Sequence, residues 1–183
     1  MTFCGHAEGI LPHSCLMPPP VFSFPRIGPD SDALLSELLQ LYIREMAQWF
    51  EVEPNPDGTY SYDTAGIWER GYDAYLAKVD DAVAGFALIG PAEEFIDGDG
   101  KDVHEFFVLP EFRRGGVGRM MAMRLWNRYP GNWLVRVLAA NTPALAFWRA
   151  AITNGSRGDY HEEPRLMGER PWVFFRFESR RHV

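Results

Sequence analysis

A short run near the middle of the chain, Pro110 to Met121 (PEFRRGGVGRMM), concentrates residue types that bind phosphate. Gly115, Gly116 and Gly118 leave the backbone open to close approach, and Arg113, Arg114 and Arg119 place positive charge beside it. The stretch before it reads as a strand and the stretch after it as a helix. Unpaired N–H groups at the positive end of a helix dipole are suited to a phosphate or pyrophosphate. A nucleotide P-loop needs Lys and Ser or Thr after its last glycine, where Arg119 and Met120 stand. A dinucleotide fingerprint through Gly116, Gly118 and Met121 lacks its third glycine, and no acidic strand end follows about twenty residues on. In the strand just before the loop, His104 and Glu105 titrate. A carboxylate there is suited to take a proton from a nucleophile; the plainer alternative is a partly buried carboxylate paired with an arginine. Strict alternation puts Glu105, Phe107 and Leu109 on one face and His104, Phe106 and Val108 on the other, so only one of His104 and Glu105 faces a given side.

The elements that must position these residues follow from periodicity. Residues 18–20 are PPP, which separates an N-terminal extension, 1–20, from a single domain over 21–183. Residues 21–27 predict a short edge strand broken by Pro25. From Asp30 to Phe50, Leu35, Leu38, Leu39, Tyr42, Met46, Trp49 and Phe50 recur at helical spacing. A turn-rich loop then leads to a short helix around IWERGY, and 74–79 with 82–90 form a hairpin about Asp80 and Asp81. Residues 103–109 predict a strand and the loop opens a helix ending at Tyr129. A strand over 133–140 precedes a helix over 142–153, capped by Asn141 or Thr142 with Pro143 at its first position and ending near Asn154 and Gly155. A last strand over 171–179 pairs with one near DYHEE. This order predicts an α/β fold with a mostly antiparallel sheet and at least one parallel crossover.

Arg113, Gly116 and Gly118 match R/Q-x-x-G-x-G/A. One strand later, Asn141, Ala144, Phe147 and Trp148 supply Asn, then Ala three on, then an apolar and an aromatic residue. On these two linked motifs the sequence resembles the GNAT superfamily of N-acetyltransferases, and stretches such as HEFFVLPEFRRGGVGR look like one bacterial branch of it. The resemblance implies a central sheet splayed at an acyl site and flanked by helices. It implies that Arg113, Arg114, Gly115, Gly116, Val117, Gly118 and Arg119 hold the pyrophosphate of coenzyme A. Backbone groups of Phe107, Val108 and Leu109 would meet the rest of the donor, with Asn141, Phe147 and Trp148 across the cleft. Glu105 is then the candidate base. Trp148 departs from the family pattern, since many relatives have there a Tyr that protonates the leaving thiolate, and an indole N–H does not give up its proton at useful pH. Tyr160 is the candidate acid; otherwise water supplies the proton or the thiolate leaves as such. The acceptor side of relatives points to Tyr60, Tyr62 and Trp68, beside Glu51, Glu53 and Asp63, as an aromatic, acidic pocket for an amine, unless these rings pack the loop. The implied activity is transfer of an acetyl group from acetyl-CoA to a primary amine of a small molecule or peptide, without a metal. The alternative is a coenzyme A binding module without transfer, and a homodimer is compatible with either.

Composition bounds this reading. The 183 residues, 46% apolar and 23% charged, suffice for a core without staples. A net charge of −7 argues against nucleic acid, which collects basic faces, and suits a cationic substrate. Cys4 and Cys15, both in the extension, cannot staple the domain, which suggests a reducing cytoplasm. No run of 18 apolar residues predicts a membrane span, and the CGH and HSC triplets lack metal-site spacing.

Overall fold

The computed structural model describes residues 19–96 and 99–179, so the 1–20 extension lies almost wholly outside the described residues. Among the described residues eight strands form one sheet in the order β1-β3-β4-β5-β6-β8-β7, with β2 also on β3. They are β1 (Phe22–Ser23), β2 (Arg26–Ile27), β3 (Asp73–Val79), β4 (Ala82–Pro91), β5 (Gly100–Val108), β6 (Gly131–Leu138), β7 (Tyr160–Met167) and β8 (Arg170–Ser179). Four helices flank it: α1 (Asp32–Met46), α2 (Thr64–Glu69), α3 (Val117–Arg128) and α4 (Thr142–Ser156). Neighbouring strands run antiparallel except β5 and β6. This is the mixed, mostly antiparallel α/β architecture that the sequence predicts.

Local chemistry explains the boundaries. Pro25 separates β1 from β2, and Asp80 and Asp81 both take positive φ, as a two-residue hairpin turn requires. Strand β4 is buried from Ala84 to Gly90 because helices cover the sheet on both faces. On one face α3 and α4 pack Val117, Met121, Leu125, Leu145 and Trp148 against Ala87, Val103, Val135 and Phe175. On the other, α1 packs Leu35, Leu38 and Leu39 against Leu76, Phe86, Leu88 and Phe107. Helix α4 runs past Gly155 to Ser156, further than expected. Gly155 is not a stop: any side chain there would strike the indole of Trp126 on α3, so the glycine sets how closely the two helices approach. The turn that does end α4 is Arg157, in the left-handed region, whose N–H bonds back to Thr153. Among the described residues no helix is long and apolar enough to cross a membrane.

Candidate functional site

The site begins where two central strands part. Strand β5 pairs with β6 only from Gly100 to Val103, opposite Asn132 to Val135. Beyond that point β5 stays with β4 as far as Val108, and β6 stays with β8 as far as Leu138. A cavity of about 220 Å³ fills the gap, lined by Glu105 and Phe106 from β5, Arg136 to Leu138 from β6, Asn141, Ala144 and Trp148 at α4, and Tyr42, Met46 and Phe50 from α1 and its extension. It therefore joins the α3–α4 face of the sheet to the α1 face.

The backbone lining the gap follows from parity. The N–H of Leu109 donates to the carbonyl of Ala84 at 2.9 Å, so it points at β4. Alternation then turns Phe107 and Glu105 toward β4 as well, and Phe106 and Val108 toward the vacated β6 side. Of the three residues expected to present backbone groups, Val108 does so; Phe107 and Leu109 do not, and Phe106 takes their place.

The glycine loop crosses the end of β5. Arg114 (φ 63°) and Gly116 (φ 85°) are both left-handed, which folds the chain tightly into α3. The first i→i−4 bond of the helix is donated by Met120, so the N–H groups of Val117, Gly118 and Arg119 have no intrahelical acceptor. No atom lies within 4 Å of where a Cβ on Gly116 would be, whereas one on Gly118 would come within 3.1 Å of Phe147. Gly116 is thus open toward a ligand, and Gly118 permits α4 to pack on α3. Arg114 and Arg119 are exposed and make no ion pair among the described residues. Arg113 differs: its Nε donates to the Val108 carbonyl at 2.8 Å, its Nη2 reaches Glu45 of α1 at 2.7 Å, and its guanidinium lies over the Phe107 ring. Its side chain braces the loop against β5 and α1 and is not free to meet a phosphate.

Glu105 faces the cavity from beneath α1. The hydroxyl of Tyr62 donates to its Oε1 at 3.1 Å, and the Tyr42 hydroxyl is a second partner. Burial pushes its carboxyl above the usual range, while Tyr42, the His104 and Arg136 charges and Tyr62 pull it back in part. The same enclosure, together with the carboxylate, holds the phenols of Tyr42 and Tyr62 well above their ordinary values. Beside Glu105 the alternation breaks. Leu88 pairs with Glu105 but Ile89 pairs with Val103, so His104 is an extra residue in β5. Val103 and Phe106 consequently share the α3–α4 face, and His104 and Glu105 both line the cavity, contrary to strict alternation. Arg136 is held by Asp102 through Nη2 at 2.5 Å and Nε at 3.2 Å, leaving its charge in the cavity wall.

Other expected residues fall elsewhere. Tyr160 pairs across β8 Phe177, which pairs with Trp133, whereas the cavity lies at the Leu138–Trp172 end of β6 and β8. Tyr160 is therefore at the far end of the sheet and is no acid for this site. Tyr60 fastens its loop to α1 through both backbone groups and Gln40, and Trp68 donates to Asp32 at 2.8 Å. Neither lines the cavity, and Asp63 is spent capping α2. Asn141 caps α4, its Oδ1 accepting from Ala144, while Trp148 meets Phe106 and Phe147 edge to face at 4.8 and 4.9 Å. Lining residues that sequence reasoning did not place at the site include Tyr42, Met46, Phe50, Arg136 and Trp172. The first three recur every fourth residue, a legible stripe that reads as core. Among the described residues no group of three or more His, Cys, Asp or Glu could hold a metal.

Residues 37–151 match the profile of the family described as acetyltransferase (GNAT) family. The chain is similar in fold to the ribosomal-protein-S18-alanine N-acetyltransferase from Escherichia coli, at 13% identity and TM-score 0.56 over 89% of this chain and 97% of that one. It is similar to Arabidopsis thaliana NAA60 in complex with acetyl-CoA, at 12% identity and TM-score 0.56 over 86% and 98%. A mutant of the SpeG spermidine N-acetyltransferase from Vibrio cholerae matches at 8% identity and TM-score 0.58 over 86% and 93%. No curated protein matches in sequence.

Proposed function

The chain belongs to the acetyltransferase (GNAT) family as an acetyl-CoA-dependent N-acetyltransferase, and from that premise we propose that it acetylates a primary amine directly, with the amine bound on the α1 face and deprotonated by Glu105. When bound, acetyl-CoA supplies the acetyl thioester. The residues present fit it: the open Gly116 and the free N–H groups of Val117, Gly118 and Arg119 suit its pyrophosphate, with Arg114 and Arg119 adding charge. The N–H groups of Phe106 and Val108, turned into the gap, suit its pantetheine and acyl carbonyl, opposite Asn141 and Trp148.

The single observation that carries this reading is the cavity at the β5–β6 split, lined by Asn141, Ala144 and Trp148 of the α4 side and by Glu105 and Tyr42 of the α1 side. An amine arrives mostly as an ammonium ion and must lose a proton before it can attack. A carboxyl whose pKa is raised by burial takes that proton at a cost closer to balance than an exposed carboxylate does. Tyr42, Met46, Phe50 and Trp172 offer the apolar walls that seat the carbon skeleton. Tyr42, Tyr62 and Trp148 do not replace the phenol acid of relatives, because the two phenols hold their protons tightly and an indole does not release one. The amine's own proton, or water, then meets the leaving thiolate. The coenzyme A binding module without transfer is not favoured.

The test is release of free coenzyme A from acetyl-CoA, followed over small primary amines, polyamines and peptides. Turnover that requires an amine supports the proposal. Tight coenzyme A binding with no turnover across the panel would leave only a binding module.

A further inference from the structure

The residue that the bulge inserts, His104, has no part in the reading above, yet its surroundings are built. Its ring lies 4.9 Å from that of Tyr72, and Tyr72 lies so flat on the sheet that any side chain at Gly90 would strike it. Its Nδ1 is 3.9 Å from Asp102 Oδ2, and Asp102 is buried and already fixed by Arg136. The imidazole is 31% exposed, whereas Glu105 next to it lies beneath Tyr42 and Tyr62. Both line the one cavity.

A buried base must lose, at every turnover, the proton it has taken. The phenols of Tyr42 and Tyr62 cannot carry it away, since each donates to Glu105 and holds its own proton tightly. Arg136 has no lone pair to accept it. We propose that His104 is the proton outlet of Glu105, relaying each proton from the buried carboxyl to solvent while Asp102 steadies the imidazolium. This rests on Glu105 as the base. The balance is simple: the ammonium N–H bond breaks as the Glu105 O–H bond forms, that O–H bond breaks as an imidazole nitrogen, directly or through one water, takes the proton, and bulk water receives it. The charged and titratable groups around His104 are Asp102 and Glu105 of its own strand, Tyr72 with Arg70 above its ring, and Arg136 from β6 held on Asp102, while Tyr42 from α1 and Tyr62 from the loop before α2 meet Glu105. His104 acts through Glu105, as a positioning residue.

The test compares His104→Ala, His104→Gln and Glu105→Gln, with melting curves to confirm folding. Turnover of an amine from the panel should fall about tenfold or more in both His104 variants, with the KM for acetyl-CoA little changed. Added imidazole should restore His104→Ala and leave Glu105→Gln inactive. Unaltered turnover and pH profile in both His104 variants, or a loss that imidazole does not repair, overturns the relay. Full turnover in Glu105→Gln would instead overturn the base itself, so the two failures are distinct.

Discussion

Gly116 offers the sharpest way to separate the donor loop's shape from its charge. Its φ of 85° is a conformation that costs an L-residue about 1–2 kcal/mol, and no neighbouring atom would meet an added Cβ. Gly116→Ala therefore carries backbone strain and almost nothing else. Gly116→Glu carries the same strain and adds a negative charge facing the ligand. Against a pyrophosphate of charge about −2 at about 6 Å, with an effective dielectric of about 40, that charge contributes repulsion of about 3 kcal/mol, or ~100-fold in Kd. Chemical denaturation should place both variants about 1–2 kcal/mol below the parent. Calorimetric titration with coenzyme A should show a loss of less than about fivefold for Gly116→Ala and ~100-fold for Gly116→Glu. The excess should shrink in about 0.5 M salt, where the screening length falls to about 4 Å. If Gly116→Glu binds coenzyme A within about threefold of Gly116→Ala at low salt, the loop does not hold the phosphates.

Three further variants test the same geometry. Glu105→Gln should lose about 100-fold or more in turnover while binding coenzyme A as before. Because the folded carboxyl titrates above its unfolded value, its stabilising contribution is complete below the ordinary carboxylate range and lost as pH rises through the folded value. Glu105→Gln should accordingly be the more stable protein at pH about 8 and lose that advantage toward pH about 4, which paired denaturation curves would reveal or refute. Tyr62→Phe deletes the 3.1 Å bond that favours the Glu105 carboxylate, worth about 1.5 kcal/mol, so the acidic limb of the pH–rate profile should move to higher pH with turnover below it down roughly tenfold; an unmoved limb would detach Tyr62 from the base. Gly85→Ala would drive a methyl group into the Phe107 carbonyl, and urea unfolding should show a loss of about 3 kcal/mol; a neutral result would mean that β4 and β5 are not so closely joined.

Much of this was readable from sequence where the signal is local. The loop, the Asn141 cap with Pro143 behind it, and the aspartate turn each depend on a few adjacent residues whose backbone preferences admit one solution. What escaped depends on distant partners. The bulge at His104 has no glycine to mark it, because it arises from the register between β4 and β5. The same register decides that Phe106 and Val108, rather than Phe107 and Leu109, turn their N–H groups to the gap. Tyr42, Met46 and Phe50 make an apolar stripe that any core helix has; only the parting of β5 from β6 leaves part of it uncovered as a cavity wall. Arg113 matches a phosphate-binding pattern, and nothing in the pattern foretells that Glu45, far off in the chain, claims its guanidinium. Tyr160 was misplaced because its distance from the site depends on two registers in turn, β7 on β8 and β8 on β6, the second of which joins segments far apart in the chain.

The parting of β5 and β6 also bears on the order of events in time. The cavity is lined from α4 on one face of the sheet and from α1 on the other, so under the proposed assignment donor and acceptor approach it from opposite faces. On that assignment either substrate can bind first. Steady-state lines in a two-substrate experiment are then expected to intersect. A single molecule made by joining donor to acceptor would have to thread the opening end-on, and should associate far more slowly than either half, however tightly it is held once through.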